Sequence, residues 1–409
     1  MDICVQKFGG SSLATSEQRV HVCDRINEAY EKGCHPVVVV SAMGRAGDPY
    51  ATDTLLSLVK SADSQQDARN LDLLLACGEI ISAVVLSEAL NARGLKAQAV
   101  TGWQGGILTD ANHGSARILS INPKKIYSLI EAGVIPVVAG FQGATNDGEI
   151  TTLGRGGSDT TAVALAAVLK TGYVEIYTDV DGIKAVDPRI IPDAPTLSTL
   201  TYREIMEMAH LGAKVIHPRA VEIGMEAGIT IRVLSTVEPG KGTIISSGKE
   251  VEHPISDRVV TGIAYISNRA HVRIASEQDF NQSKLALQIF QELANHGVSV
   301  DLIYLSPNLI AFIIDQEMSD LVKKVLAPYR LNISVEKGYT KVSVVGAGMH
   351  GVPGVMARVV QSLEQAKVGI YHTTDSHANI SCLIKEDKLT DAVQALFQEF
   401  ELSNKEGQE

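Results

Sequence analysis

Up to about residue 245 the chain alternates short apolar runs with stretches of helical period. "ICVQKF", "PVVVVSAM", "IPVVAGFQ", "VEIYTD" and "ITIRVL" have the length and near-continuous apolarity of strands buried on both faces. Between the first two, Val20, Cys23, Ile26 and Tyr30 recur at helical period, and Thr15 followed by Gln18 has capping-box spacing. Strands and helices in alternation predict a three-layer α/β domain with a largely parallel central sheet.

The pattern breaks at "STVEPGKGTIISSGKEVEHPISD" (235–257), a stretch rich in Gly, Ser, Pro and charge that predicts a boundary. Beyond it the chain repeats itself at an offset of about seventy. "LQIFQELANHGVSVDLI" (287–303) parallels "ARVVQSLEQAKVGIYHT" (357–373), and "IAFII" (310–314) parallels "ISCLI" (380–384). "SDLVKKVL" (319–326) then parallels "TDAVQALF" (390–397) with one residue more of offset. Two tandem β-α-β-β-α units follow. The expected domains are 1–245, a linker at 246–260, and repeats at 261–338 and 339–409.

The second repeat opens on "VSVVGAGMHGVPGV", where Gly346, Gly348 and Gly351 have the G-x-G-x-x-G spacing of a dinucleotide fingerprint. A dinucleotide fold needs far more chain than remains after Gly351, so no nicotinamide site is expected. The glycines read as a tight strand-to-helix loop approaching something small, such as a regulatory ligand.

Composition narrows the classes. The chain has 409 residues and a net charge of −11, which argues against broad binding to nucleic acid or an anionic membrane. No apolar run reads as membrane-spanning, and the start has no basic segment leading into a long apolar one. Cys4, Cys23, Cys34, Cys77 and Cys382 are scattered, which reads as buried thiols in a reducing compartment.

The candidate chemistry lies in the first half. In "KFGGSS", Gly9 and Gly10 free backbone N–H groups for an anion and Lys7 adds a charge, though a plain β-α turn reads equally well. "TTLGRGGSDTTAVALAAVL" sets Arg155 among Gly154, Gly156 and Gly157, before Ser158 and Asp159 at the head of a helix. An N-cap explains Ser158 or Asp159 but not an arginine among three glycines, which suits a carboxylate grip. Thr178 and Asp179 sit where open α/β sheets bind ligands. Asp181 and Asp187 read as turn residues. Ser41 closes a strand, and Lys214 precedes a helix started by Pro218. Glu79 is expected at the head of a helix, favouring the helix dipole or binding an ammonium group. The eleven histidines are scattered, and His217 reads as structural.

"KFGGSS", "VVVVSAMG", "CGE", "GRGGSDTTA", "YTDVDGI" and "GAKVIHPRA", in this order and spacing, resemble the aspartokinases of the amino-acid kinase superfamily. The tandem repeat resembles that family's paired ACT domains, of α+β ferredoxin-like fold. The insert "GRAGDPYATDTLL" (44–56) is similar to the Gram-positive branch serving diaminopimelate synthesis. The resemblance implies phosphoryl transfer from Mg-ATP to the side-chain carboxylate of L-aspartate, in the cytoplasm, at the entry to lysine, threonine, methionine and diaminopimelate. It implies Lys7, Asp159 and Lys214 as catalytic. Lys7, Phe8, Gly9, Gly10, Thr178, Asp179, Lys184, Arg189 and Lys214 would hold the nucleotide, whose Mg²⁺ needs no direct protein ligand. Ser41, Thr52, Glu79, Arg155, Gly156, Gly157 and Ser158 would hold aspartate. Lys184 departs from the Tyr of many relatives.

Elementary chemistry agrees. An aspartate side chain has a pKa of about 3.9, so the nucleophile is already ionised at neutral pH and needs no general base. The difficulty is to bring it to a polyanion, which calls for cations, backbone dipoles and positioning. The resemblance further implies an effector amino acid (diaminopimelate, lysine or threonine) at the repeats. Its expected contacts are Asp301, His350, Gly351, Val352, Asp375 and Ser376, from the loops 275–283 and 346–354 and nearby strand ends. Some relatives of the resembled family make a separate regulatory subunit from an internal start near the linker. Here no Met lies between Met225 and Met318, which leans toward a homo-oligomer instead, and the resemblance implies a homodimer or homo-oligomer through ACT pairing. The alternatives are an N-acetylglutamate-type kinase, whose acylated substrate offers Glu79 no ammonium, and a catalytically silent amino-acid sensor. A fused kinase–dehydrogenase would need more chain.

Overall fold

The computed structural model describes residues 2–59, 67–213, 215–248, 259–276, 279–280, 284–329, 331–349 and 351–403. Its two compact units are Met1–Ile183 with Thr196–Ala209 and Lys214–His253, and Lys184–Pro195 with His210–Ala213 and Pro254–Glu409.

The strands of the first unit are β1 (Asp2–Phe8), β2 (Cys34–Val40), β3 (Ala97–Val100), β4 (Ile107–Thr109), β5 (Ile118–Ile121) and β6 (Ile135–Ala139). They continue with β7 (Gln142–Ala144), β8 (Ile150–Thr152), β9 (Tyr173–Thr178), β10 (Thr199–Thr201), β11 (Thr230–Ser235) and β12 (Thr243–Ser246). Helices along the same stretch of chain are α1 (Gly10–Leu13), α2 (Ser16–Glu31), α3 (Thr52–Ser57), α4 (Ala68–Asn91), α5 (Lys124–Glu131), α6 (Gly157–Leu169), α7 (Tyr202–His210) and α8 (Pro218–Ala227).

The main sheet runs β10-β12-β11-β9-β1-β2-β6-β3, parallel throughout except for the β11/β12 pair. Every run expected as a strand supplies one, and the capping box of Thr15 and Gln18 opens α2. Alternation along β1 sends Phe8 into a core with Val22, Ile26, Leu86 and Leu90 of α2 and α4, while Lys7 faces α6. Each fully buried aliphatic side chain there contributes about 1.5–3 kcal/mol. The strand order places the C-terminal ends of β9, β1, β2 and β6 side by side.

Three features differ from the sequence reading. A small second sheet, β5-β4-β7-β8, was not legible in such short strands. α4 is long and apolar enough to cross a membrane by length and composition, yet it buries Asp72 and Glu79 in this unit. Cys77, on the same helix, is exposed, whereas the other four cysteines are buried.

The second unit holds β13 (Gly262–Ala275), α9 (Leu285–Asn295), β14 (Asp301–Ser306), β15 (Leu309–Asp315), α10 (Ser319–Leu326), β16 (Asn332–Val345), α11 (Val355–Gln365), β17 (His372–Asp375), β18 (Asn379–Lys385) and α12 (Leu389–Glu399). Its antiparallel sheet runs β14-β15-β13-β16-β18-β17, and the repeat shows as the same element order on either side of β16. The expected boundary between 338 and 339 falls inside β16. Residues 332–336 of that strand pair with 271–275, and residues 341–345 pair with 262–266. Two continuous strands thus serve both halves, each half contributing to the other's sheet. Lys184–Pro195, expected in the catalytic domain, also groups here. Ala185 accepts the Ile263 N–H at 2.8 Å, and Asp187 accepts the Tyr265 hydroxyl at 3.0 Å. Asp187 is therefore more than a turn residue.

Two of the three glycines of the G-x-G-x-x-G loop, Gly346 and Gly351, have local causes. A Cβ on Gly346 would lie 2.2 Å from the Val259 carbonyl oxygen, so the close approach is to the chain's own backbone rather than to a ligand. Gly351 has φ +80 with open space around it. Gly346→Ala should therefore cost about 3 kcal/mol of stability through overpacking, and Gly351→Ala about 1 kcal/mol through its dihedral alone. Urea unfolding of the two variants checks the order, and equal losses would refute the packing argument.

Candidate active site

A cavity of about 630 Å³ opens in the first unit, within the usual range for a small-molecule site. Its wall includes Lys7, Ser41, Thr52, Glu79, Arg155, Gly156, Gly157, Ser158 and Asp159, nine residues expected from sequence. They come from the ends of β1 and β2, the start of α3, the middle of α4, and the turn and first turn of α6.

Lys7 and Asp159 form an ion pair, Nζ to Oδ1 at 2.6 Å, with side chains 12% and 11% exposed. The pair ties the central strand to α6. The N-cap of α6 is Gly156, at φ +67, with no side-chain cap bond, so neither Ser158 nor Asp159 is the cap. Asp159 lies in the first turn, where the helix dipole favours a carboxylate. The glycines around Arg155 are required by shape. Gly154 and Gly156 have positive φ, a Cβ on Gly156 would meet the His217 side chain at 2.1 Å, and one on Gly157 would meet the Phe141 ring at 2.7 Å. His217 caps α8, its Nδ1 accepting the Arg219 N–H at 3.3 Å, which agrees with a structural role. Arg155 remains exposed on the cavity wall.

Glu79 sits in the middle of the 24-residue α4 rather than at its head, which removes the helix dipole as its reason. It is 2% exposed. Its Oε1 accepts the Ala42 N–H at 3.1 Å, while Oε2 is buried without a hydrogen-bond partner. Burial pushes its carboxyl up to about 8, against the pull of backbone N–H groups from Ala42 and Glu79 itself. A carboxyl buried in this way stays largely protonated at neutral pH until a cation beside it favours the charged form.

On the nucleotide side the match is looser. Phe8 is fully buried and stacks on Tyr177 at 4.8 Å, and its carbonyl accepts the Ser41 N–H at 3.2 Å, so it offers a nucleotide nothing directly. The Gly9 N–H donates to the Tyr177 carbonyl at 3.3 Å and is therefore not free for an anion. A Cβ on Gly10 would lie 2.4 Å from the Ala42 carbonyl oxygen, so Gly10 lets the Ser41–Gly44 turn close over α1. Thr178 ends β9, its hydroxyl donating to Asp179, which ion-pairs with Arg45. Lys184 and Arg189 belong to the second unit, where Arg189 is paired with Asp187 at 2.6 Å. Lys214 lies outside the described residues.

Of the expected effector contacts, Asp301 is already engaged by the nearly buried Lys341 at 2.6 Å. The Ser376 hydroxyl accepts N–H groups of Ala378 and Asn379 in the β17–β18 turn. Val352 and Asp375 are exposed, Gly351 forms the turn already described, and His350 lies outside the described residues.

Sequence reading missed Asp72 and Phe141 on the cavity wall. Asp72 had a signal, a lone acid in the apolar run "LDLLLAC". Phe141 had almost none, yet it adopts φ +67 between β6 and β7, a strained conformation for a bulky residue.

Fold and site together define a kinase of small carboxylates. The profile of the amino acid kinase family matches residues 2–235, and an ACT domain profile matches 342–400. The chain belongs to the amino acid kinase family, and within it to the aspartokinases. Aspartokinase 1 of Bacillus subtilis is 42% identical over 405 residues, spanning 98% of this chain and all of that protein. The structure of E. coli aspartokinase III with lysine and aspartate aligns at TM-score 0.76 and 25% identity, covering 98% of this chain and 100% of that one. The same enzyme with aspartate and ADP aligns at TM-score 0.76 and 24% identity over 98% and 99%, a likeness of fold.

Because the Glu79 pKa is raised, its contribution to stability is present below the ordinary carboxylate range and is lost as pH rises through about 8. The ligand-free protein should lose melting temperature between pH 5 and 9, and Glu79→Gln should flatten that slope and melt several degrees higher at pH 9. Parallel melting curves for the two proteins across this range would show that Glu79 is not the group responsible.

Proposed function

We propose that the chain transfers the γ-phosphoryl group of ATP to the side-chain carboxylate of L-aspartate, releasing 4-phospho-L-aspartate and ADP. The observation that carries this reading is the bare, buried Oε2 of Glu79 in a cavity that also holds Arg155. An amino acid with a free ammonium and two carboxylates fits that pair. Glu79 would take the ammonium, Arg155 would grip one carboxylate with two hydrogen bonds, and Ser41, Thr52, Gly156, Gly157 and Ser158 would complete the wall. N-acetylglutamate offers no ammonium, which disfavours that substrate.

Lys7 would meet the incoming phosphate, with Gly10, Thr178, Asp179 and Lys214 on the nucleotide side. Asp159 would hold Lys7 in place. Among the described residues no group of three or more His, Cys, Asp or Glu could hold a metal. Mg²⁺ would arrive on the phosphate oxygens of the nucleotide, completed by water rather than by a direct protein ligand, and Asp159 would organise Lys7 against the metal–nucleotide. When bound, the ion would neutralise charge on the phosphates. Each residue then acts by positioning and charge, because the nucleophile is ionised without a base.

We place the catalytic domain at 1–245 and read the second unit as a sensor for an end-product amino acid, with lysine, diaminopimelate and threonine as the candidates. The lysine held by the E. coli enzyme named above supports that class of effector. Pairing of ACT units into a homodimer or homo-oligomer, and a cytoplasmic location, belong to the same reading.

Hydroxylamine trapping of acyl phosphate tests the reaction, with aspartate, glutamate and N-acetylglutamate side by side. Aspartate alone should give signal, and silence with aspartate in a folded, ATP-binding protein would overturn the proposal. Glu79→Gln should raise the KM for aspartate at least tenfold while leaving that for ATP within about twofold. Lys7→Met should lower kcat by about 100-fold or more. At least one of the three end products should inhibit, and activity indifferent to all three, singly and together, would remove the sensor.

A further inference from the structure

Asp72 lines the cavity, is 1% exposed, and belongs to no substrate-holding set described above. It precedes Glu79 by seven residues, two turns along the same face of α4. Its oxygens are fully engaged. Oδ1 accepts the Thr152 hydroxyl at 2.5 Å and the Gly114 N–H at 3.0 Å. Oδ2 lies 3.1 Å from the same N–H and 2.8 Å from His113 Nδ1. With these partners it has little left to offer a ligand. What it does is join two parts of the wall.

The joined parts are the two ends of the amino-acid site. α4 carries Glu79. Thr152 ends β8, three residues before Arg155. The loop that Asp72 holds is stitched to the same strand, the Ala116 N–H donating to the Thr152 carbonyl at 2.9 Å. That loop also packs on Gly154, whose Cβ, if present, would lie 3.2 Å from the Gly114 carbonyl oxygen. Arg219 closes the brace from the other side, donating to the carbonyls of Leu153 at 3.0 Å and Ala116 at 2.9 Å.

We propose that Asp72 is a positioning residue that fixes the separation of Glu79 from Arg155 and so selects the length of the substrate's carbon chain. The inference rests on the reading of Glu79 as ammonium anchor and Arg155 as carboxylate clamp. With the ammonium on Glu79 and the neighbouring carboxylate on Arg155, the head of the amino acid is fixed, and the length of its side chain sets where the reacting oxygen lies. The glutamate chain, one methylene longer, then misplaces that oxygen. An amide at position 72 would turn a donor toward the Gly114 N–H or the Thr152 hydroxyl, loosening the brace while keeping the volume.

Steady-state kinetics of Asp72→Asn with aspartate and glutamate tests this. The KM for aspartate should rise about tenfold or more with a smaller change in kcat. The KM for ATP should stay within twofold, and the preference for aspartate over glutamate should shrink at least tenfold. Thr152→Val, which removes one donor, should move the same ratio, and Thr152→Ser, which restores the hydroxyl, should recover it. The threonine variants decide the matter if Asp72→Asn does not fold. Equal loss toward both substrates, or an equal rise in the KM for ATP, would make the brace merely structural and overturn the proposal. A wild-type protein inactive on aspartate would instead overturn the reading beneath it.

Discussion

The Lys7–Asp159 ion pair holds the central strand to the helix that follows the glycine-rich turn, and the geometry of the cavity depends on it. Both side chains are nearly out of water, and a buried pair of this kind contributes little net stability against an apolar replacement. Removing one partner, by contrast, leaves an uncompensated charge and costs about 3–5 kcal/mol. The arrangement thus locks in a lysine that cannot be dropped cheaply. On the proposed reaction that lysine stands where two anions must be brought together. Glu79 follows the same logic with the sign reversed: its cation is absent from the fold, and the carboxyl stays protonated until a substrate ammonium arrives to favour the charged form.

Much of this was legible in the chain. Strands buried on both faces announced themselves as apolar runs, and the capping box at Thr15 and Gln18 marked the start of α2 to the residue. Nine wall residues could be named, Lys7 and the turn around Arg155 from glycine and charge in recognisable order, Thr52 only through the family resemblance. The misreadings have physical causes. Glu79 was placed at a helix head because nothing local distinguishes the start of α4 from its middle. Gly9 was given to an anion because sequence does not show that Tyr177 already takes its N–H. Gly346 was given to a ligand because a backbone–backbone approach leaves the same mark as a binding loop. β4, β5, β7 and β8 are three or four residues long, too short for periodicity to register.

Phe141 shows what lies beyond pattern reading altogether. Its left-handed backbone is held by the Leu153 N–H on its carbonyl and by the Thr161 hydroxyl on its N–H, partners brought from later in the chain. Gly157 has no side chain because the Phe141 ring fills that space. A strained residue and a required glycine explain each other, and neither explains itself in isolation.

The two long strands of the second unit have a consequence for its ancestry. The repeat in sequence suggests a block copied end to end, yet β13 and β16 each run through both halves. A single copied block would lack the strand stretch that its twin supplies. Once the halves shared strands, neither could be lost, exchanged or moved to another gene without leaving an open sheet edge behind. What the sequence writes as two modules is therefore inherited as one.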